Sequence, residues 1–168
     1  MRIVILAATL VLFAAPAAAQ TLLLKGAVGQ IVSITAAELA ALPHIAVAVN
    51  EHGQPHAYEG VALSALMARV GVAADKPTRG AGLATVVRVT ARDGYQVVLA
   101  LAETDPATAK GRVIVADREA GRPLGDQQGP FRLVVEDDLR PARSARQVAR
   151  IEVLDLATTA GAVAPHRP

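Results

Sequence analysis

The chain contains no cysteine and no tryptophan, and only two tyrosines and two phenylalanines among its 168 residues. Without a thiol it forms no disulfide, offers no soft ligand to a metal and has no sulfur nucleophile, so its fold rests on packing alone. Scarce aromatics remove the stacking platforms on which single-stranded nucleic acid or sugar rings are held. Long apolar runs are missing as well: Ile3 to Phe13 is shorter than the roughly 20 residues that a membrane span needs. A surplus of one charge is equally absent, with 17 basic residues against 15 acidic ones. A near-balanced chain exerts no strong pull on nucleic acid or anionic lipid. Neither repeats nor linker-like tracts divide the chain.

What is present begins with "MRIVILAATLVLFAAPAAAQ". A basic start at Arg2, the short apolar run and the small residues Ala17-Ala18-Ala19 form a secretory signal pattern, with cleavage expected before Gln20 and a periplasmic or secreted destination. The mature chain is then 149 of the 168 residues, the size of one domain. The expected organisation is a signal peptide over 1–19, a single domain over 20–156 and a flexible tail over 157–168, not membrane-spanning once the signal is removed.

Local patterns sketch the domain. "TLLLKGAVG" and "QIVSI" read as short extended pieces, and in "TAAELAALP" Thr35 and Glu38 make the capping box of a short helix that Pro43 ends. "HIAVAVN" reads as a strand and "EHGQPH" as a turn. In "AYEGVALSALMARVG" the residues Val61, Leu63, Leu66, Met67 and Val70 fit one helical face closed by Gly71, with Met67 in the core. "ATVVRVTARDGYQVVLALAE" holds two valine-rich runs around Asp93-Gly94, which predicts a hairpin with a type I′ turn and Tyr95 in the core beside Val97 and Leu99. "RVIVAD", "FRLVVED" and "QVARIEVLDL" read as strands, and "REAGRPLGDQQGP" and "DLRPARSAR" as loops. Strands outnumber helices without regular alternation, so the fold class is α+β, a mixed β-sheet domain with few short helices.

The C-terminal half has an ordered set of motifs: a Gly-Val-x-Leu helix start at Gly60, a strand hairpin through Asp93-Gly94-Tyr95, "VIVADREAGRPL", a Gly-Pro-x-Arg strand entrance at "GPFR", and a basic, serine-bearing loop "ARSARQV" before a final strand. Taken together, from about Leu23 to Leu156, they resemble the molybdopterin-binding domain of the sulfite oxidase family, in particular its small stand-alone exported members. The resemblance implies that domain's fold, and it implies that Arg132, Ser144 and Arg146 stand where the family holds the anionic pyranopterin phosphate. Guanidinium and hydroxyl donors at a loop-to-strand junction suit a phosphate, because arginine gives two parallel charge-assisted bonds. For Arg132 the alternative is a pairing with Glu136, Asp137 or Asp138 that merely finishes a strand.

Two features depart from the family. Members that oxidise sulfite bind molybdenum through one thiolate, in the region matching Val49 and Asn50, and this chain has no cysteine to supply it. An amide or carboxylate near Asn50 or Glu51 makes a different site, and Gln128 stands where a histidine often precedes the arginine. The leader, too, carries the single Arg2 rather than the twin arginines of the route that exports folded, cofactor-loaded proteins. The expectation is therefore a family fold without a bound cofactor, molybdopterin being implied by resemblance only. Its partner is expected to be an anionic small molecule, or a periplasmic or membrane protein; the alternative is a periplasmic molybdopterin-dependent oxidoreductase lacking a cysteine ligand.

The other constellations point nowhere stronger. His52 and His56 have a helical metal-ligand spacing, but Gly53 and Pro55 oppose a helix, leaving a loop site with Glu51 or plain surface histidines. His44 follows Pro43 and reads as packed or half-exposed; His166 lies in the tail. Arg140, Arg143, Arg146 and Arg150 would form a basic stripe on a helix, yet Pro141 and the alternation after it favour loop then strand, where they could line an anion cleft instead of a nucleic-acid surface. The serines show no hydrolase motif, so no catalytic or metal-ligating residue is assigned.

Overall fold

The computed structural model describes residues 20–73 and 78–157. The expected signal segment, His166 and the tail beyond Ala157 lie outside the described residues, as do residues 74–77 of the loop after Gly71.

Among the described residues ten strands form two sheets. The first has β1 (Thr21–Lys25), β2 (Ile31–Thr35), β5 (Thr85–Ala91), β6 (Gln96–Ala100) and β10 (Val148–Asp155), in the order β2-β1-β10-β5-β6. Within it β1 and β10 run parallel, joining the two ends of the described chain, and every other pair is antiparallel. The second has β3 (Ile45–Glu51), β4 (Gln54–Ala62), β7 (Val113–Glu119) and β8 (Arg122–Pro123) in line, with β9 (Arg132–Val135) also pairing β7. Among the described residues two short α-helices, α1 (Ala36–Ala40) and α2 (Leu63–Ala68), complete this α+β arrangement.

Side-chain alternation determines what each sheet buries. Leu22, Leu24, Val87, Val89, Leu99, Ile151 and Val153 of the first sheet meet Val61, Val113, Val115, Leu133 and Val135 of the second in the main core, with Leu39, Leu66 and Met67 from the helices. All four residues of β9 are buried, and their parity sends Leu133 and Val135 into that core while Val134 joins Val47, Tyr58, Ile114 and Ala116 on the opposite face. Arg132 is on that second face. The bulge between Glu59 and Gly60, where the register with β7 jumps from Arg118 to Ala116, returns Glu119 to it opposite Tyr58. At the bulge β4 approaches β7 so closely that a Cβ on Gly60 would lie 2.2 Å from the Val115 carbonyl oxygen.

The capping box forms as expected: the Glu38 amide donates to Thr35 Oγ1 and the Thr35 amide to Glu38 Oε2. The turns differ from expectation. At Asp93-Gly94 only Gly94 has a positive φ, and its amide donates to the Ala91 carbonyl at 3.1 Å, which is a type I turn closed by a bulge glycine instead of type I′. Paired positive φ values occur at His52-Gly53 and Ala120-Gly121, two tight turns that join β3 to β4, inside the segment read as a turn, and β7 to β8, inside a segment read as a loop. Neither turn opens with Asn or Asp, so neither carries the usual signal. The helical face expected from Val61 is also shorter, because β4 runs on through Ala62, paired there with Ile114 of β7, and α2 starts only at Leu63.

Candidate functional site

Arg132 begins β9 opposite Ala116 of β7, with its side chain on the outer face of the second sheet. It is 1% exposed. Its Nη2 donates to Glu51 Oε1 at 2.5 Å, and its Nη1 donates to the Tyr58 hydroxyl and to Gln128 Oε1. The guanidinium carbon sits 4.5 Å from the centre of the Tyr58 ring, a cation–π contact. Nε has no partner and is shut off from solvent.

The alternative pairing of Arg132 with Glu136, Asp137 or Asp138 is not what forms. Glu136 takes Arg112, and Asp138 takes Arg143 at 2.6 Å. Those acids follow the end of β9, whereas Arg132 stands at its start and enters the face on which β3 brings Glu51, itself only 6% exposed.

Polar contacts continue outward from Arg132. Gln128, accepting from Arg132, donates through Nε2 to Glu119 Oε2 at 3.2 Å, and Glu119 Oε1 lies 2.6 Å from His56 Nδ1. The His56 ring stacks almost parallel to Tyr58, with centroids 6.0 Å apart. Burial pushes the Tyr58 hydroxyl up to about 12, the charge of Arg132 opposing part of the shift. The hydrogen bond with His56 does most to hold the Glu119 carboxyl below its ordinary value. His56 is thus a strand residue, not part of a turn, while Glu51 and His56 face different partners. Among the described residues no group of three histidines or acids is placed to hold a metal. His44 is half-buried, bonded to Asp117 Oδ1 at 2.9 Å.

Beside this network lies a cleft of about 290 Å³ lined by Asp93, Tyr95, Arg132, Ser144, Arg146 and their small neighbours. The three residues singled out in the sequence therefore border one space. They differ in what they can offer it. Ser144 is buried, and its Oγ accepts from the Val135 amide at 3.3 Å, tying the loop to β9. Arg146 is exposed and has no acidic partner among the described residues. Of the other three arginines of that run, Arg143 is taken by Asp138 and Glu103, Arg140 is exposed in the loop, and Arg150 is exposed on β10. Tyr95, expected in the core, is 49% exposed and donates its hydroxyl to the Ala142 carbonyl at 2.6 Å. It belongs to the turn before β6, so the alternation that buries Val97 and Leu99 does not reach it. The Asp93 carboxylate accepts from the Tyr95 amide at 2.9 Å and holds the turn in shape.

Sequence reasoning placed the cleft residues but missed Tyr58 and Glu119, and it named Glu51 only as a possible stand-in for a metal ligand. A period-2 reading of β4 puts His56 and Tyr58 on one side, but nothing local says that Arg132 arrives there.

No family model and no curated protein matches the chain. A solved structure does: that of the sulfane dehydrogenase SoxCD from Paracoccus pantotrophus, with a TM-score of 0.63 and 18% sequence identity over 81% of this chain. The two share a fold. The chain spans 38% of the length of that protein's chain, so the likeness concerns one part of a larger molecule.

Proposed function

We propose that the chain is an exported binding module, built on the molybdopterin-binding fold of the sulfite oxidase family, that holds a small anion in the cleft at Arg146 and performs no molybdenum redox chemistry. The observation that carries this is the guanidinium of Arg146, which faces a cleft bordered by Arg132 and Ser144 and has no acid to neutralise it among the described residues. Such a group gives charge-assisted bonds to a carboxylate, sulfate or phosphate. Ligand sites run from about 300 to 1,000 Å³, so a cleft of this size suits a ligand of few atoms.

The donor set does not suit molybdopterin. The chain has no thiolate for the metal, and the carboxylate nearest to the matching region, Glu51, is bound to Arg132, the arginine that would otherwise hold the pterin phosphate. The rival assignment, a periplasmic oxidoreductase without a protein ligand to molybdenum, is supported by the shared fold alone.

Two measurements test the proposal. Calorimetric titration of phosphate, sulfate and small carboxylates should show saturable binding that Arg146→Ala weakens about tenfold to a hundredfold, as expected for loss of a charged hydrogen bond. Binding that is absent, or indifferent to Arg146→Ala, refutes the site. Molybdenum and pterin in protein purified from its native periplasm after molybdate-replete growth should be absent, and stoichiometric metal establishes the rival.

A further inference from the structure

We infer that Glu51 is the built-in occupant of the anion site at Arg132, so that this guanidinium is filled by the chain itself and is closed to any external anion. The inference refines the site assignment above, in which Arg146 and not Arg132 meets the ligand, and it can fail separately from it.

Three observations carry it. Glu51 is the last residue of β3, held by the tight His52-Gly53 turn and paired with Gln54, and the β3 parity places Val47, Val49 and Glu51 on the face that bears Tyr58. Its carboxylate meets Arg132 there at 2.5 Å, with both side chains almost wholly buried. The remaining contacts of the guanidinium are also satisfied from within, by the Tyr58 hydroxyl, the Tyr58 ring and the Gln128 amide oxygen. Only Nε lacks a partner, and it has no solvent access. An anion the size of phosphate could reach it only by displacing Glu51 or Tyr58.

Charge decides the same way. Arg132 and Glu51 cancel, and a further anion would leave net negative charge in a buried pocket next to the Glu119 carboxylate, which Gln128 links to Arg132. Uncompensated buried charge is strongly unfavourable. Removing the Glu51 carboxylate reverses the balance, leaving an unpaired cation beside a hole of carboxylate size. The ligand class for that hole is a small monocarboxylate, with formate as the simplest probe.

The test is chemical rescue in an Arg146→Ala background, which silences the neighbouring guanidinium. Melting temperatures are compared in sodium formate and sodium chloride at equal ionic strength. At about ten times its dissociation constant, formate should raise the melting temperature of Glu51→Ala/Arg146→Ala by roughly 4 °C. It should leave Arg146→Ala alone and the triple variant with Arg132→Met unmoved. An equal shift in Arg146→Ala alone, or none when Glu51 is truncated, overturns the inference. If the Glu51 variant does not fold, phosphate titrated into Arg146→Ala and into Arg146→Ala/Arg132→Met decides: equal residual affinities are expected, and tighter binding to Arg146→Ala shows Arg132 open. A wild-type protein that binds no anion at all would instead remove the Arg146 site while leaving the formate result to stand for Glu51.

Discussion

Cutting the pair between Glu51 and Arg132 gives the sharpest stability prediction. Removing one partner of a buried ion pair costs about 3–5 kcal/mol, chiefly because the other charge is left buried without compensation. Arg132→Met should fall in that range and Glu51→Leu likewise, since each side chain is buried to within a few per cent of completely. For a domain of this size, where each kcal/mol moves the melting temperature by about 3 °C, the expected loss is about 10–15 °C. The double variant removes both charges and should regain about 3 kcal/mol of the summed single losses. What stays lost includes the donor to the Tyr58 hydroxyl and to the Gln128 oxygen, about 1 kcal/mol each. The chain has no tryptophan, so urea unfolding is followed by far-ultraviolet circular dichroism. A coupling energy below about 0.5 kcal/mol would refute the reasoning, since independent sites add to within that margin.

Other outcomes follow from single positions. In Tyr95→Phe the remaining tyrosine should stay protonated at pH 10 and ionise near its raised value of about 12, read from phenolate absorbance; a midpoint near the ordinary value of about 10 would show Tyr58 to be solvated. Gly60→Ala should cost about 3 kcal/mol in urea midpoint measurements, since the new Cβ meets backbone atoms of Val115 and Ala116 that cannot step aside. Ala120 has a φ of 49°, which costs a side-chain-bearing residue about 1 kcal/mol, so Ala120→Gly should stabilise or leave stability unchanged; a clear loss would mean that the turn conformation is wrong.

Legibility in the sequence tracked the range of the interactions. The capping box at Thr35 and Glu38, the valine-rich strands around Asp93-Gly94 and the last strand were readable because their determinants lie within a few residues of one another. The turn at His52-Gly53 was readable as a turn but not its conformation, and the turn at Ala120-Gly121 was not readable at all, because His52 and Ala120 take a backbone conformation that neighbouring strands impose and that no local preference signals. Tyr95 was misplaced for a related reason, as the turn ends the alternation one residue later than the pattern suggests. Arg132, Ser144 and Arg146 were picked out together, yet only the loop's path shows that Ser144 serves the β9 backbone and that Arg146 is the arginine left to the cleft.

By itself the sequence determined the absence of any thiolate, the predominance of strands and the short capped helix, since each depends on which residues are present or on spacing along one segment. Tertiary structure alone decided the fate of Arg132. Its carboxylate partner is 81 positions away and the tyrosine beneath it 74, and only the pairing of β3, β4, β7 and β9 carries those groups to one face. A guanidinium has the same chemistry facing solvent, a ligand or a buried acid, and what lies within 3 Å of it is a property of the assembled sheet.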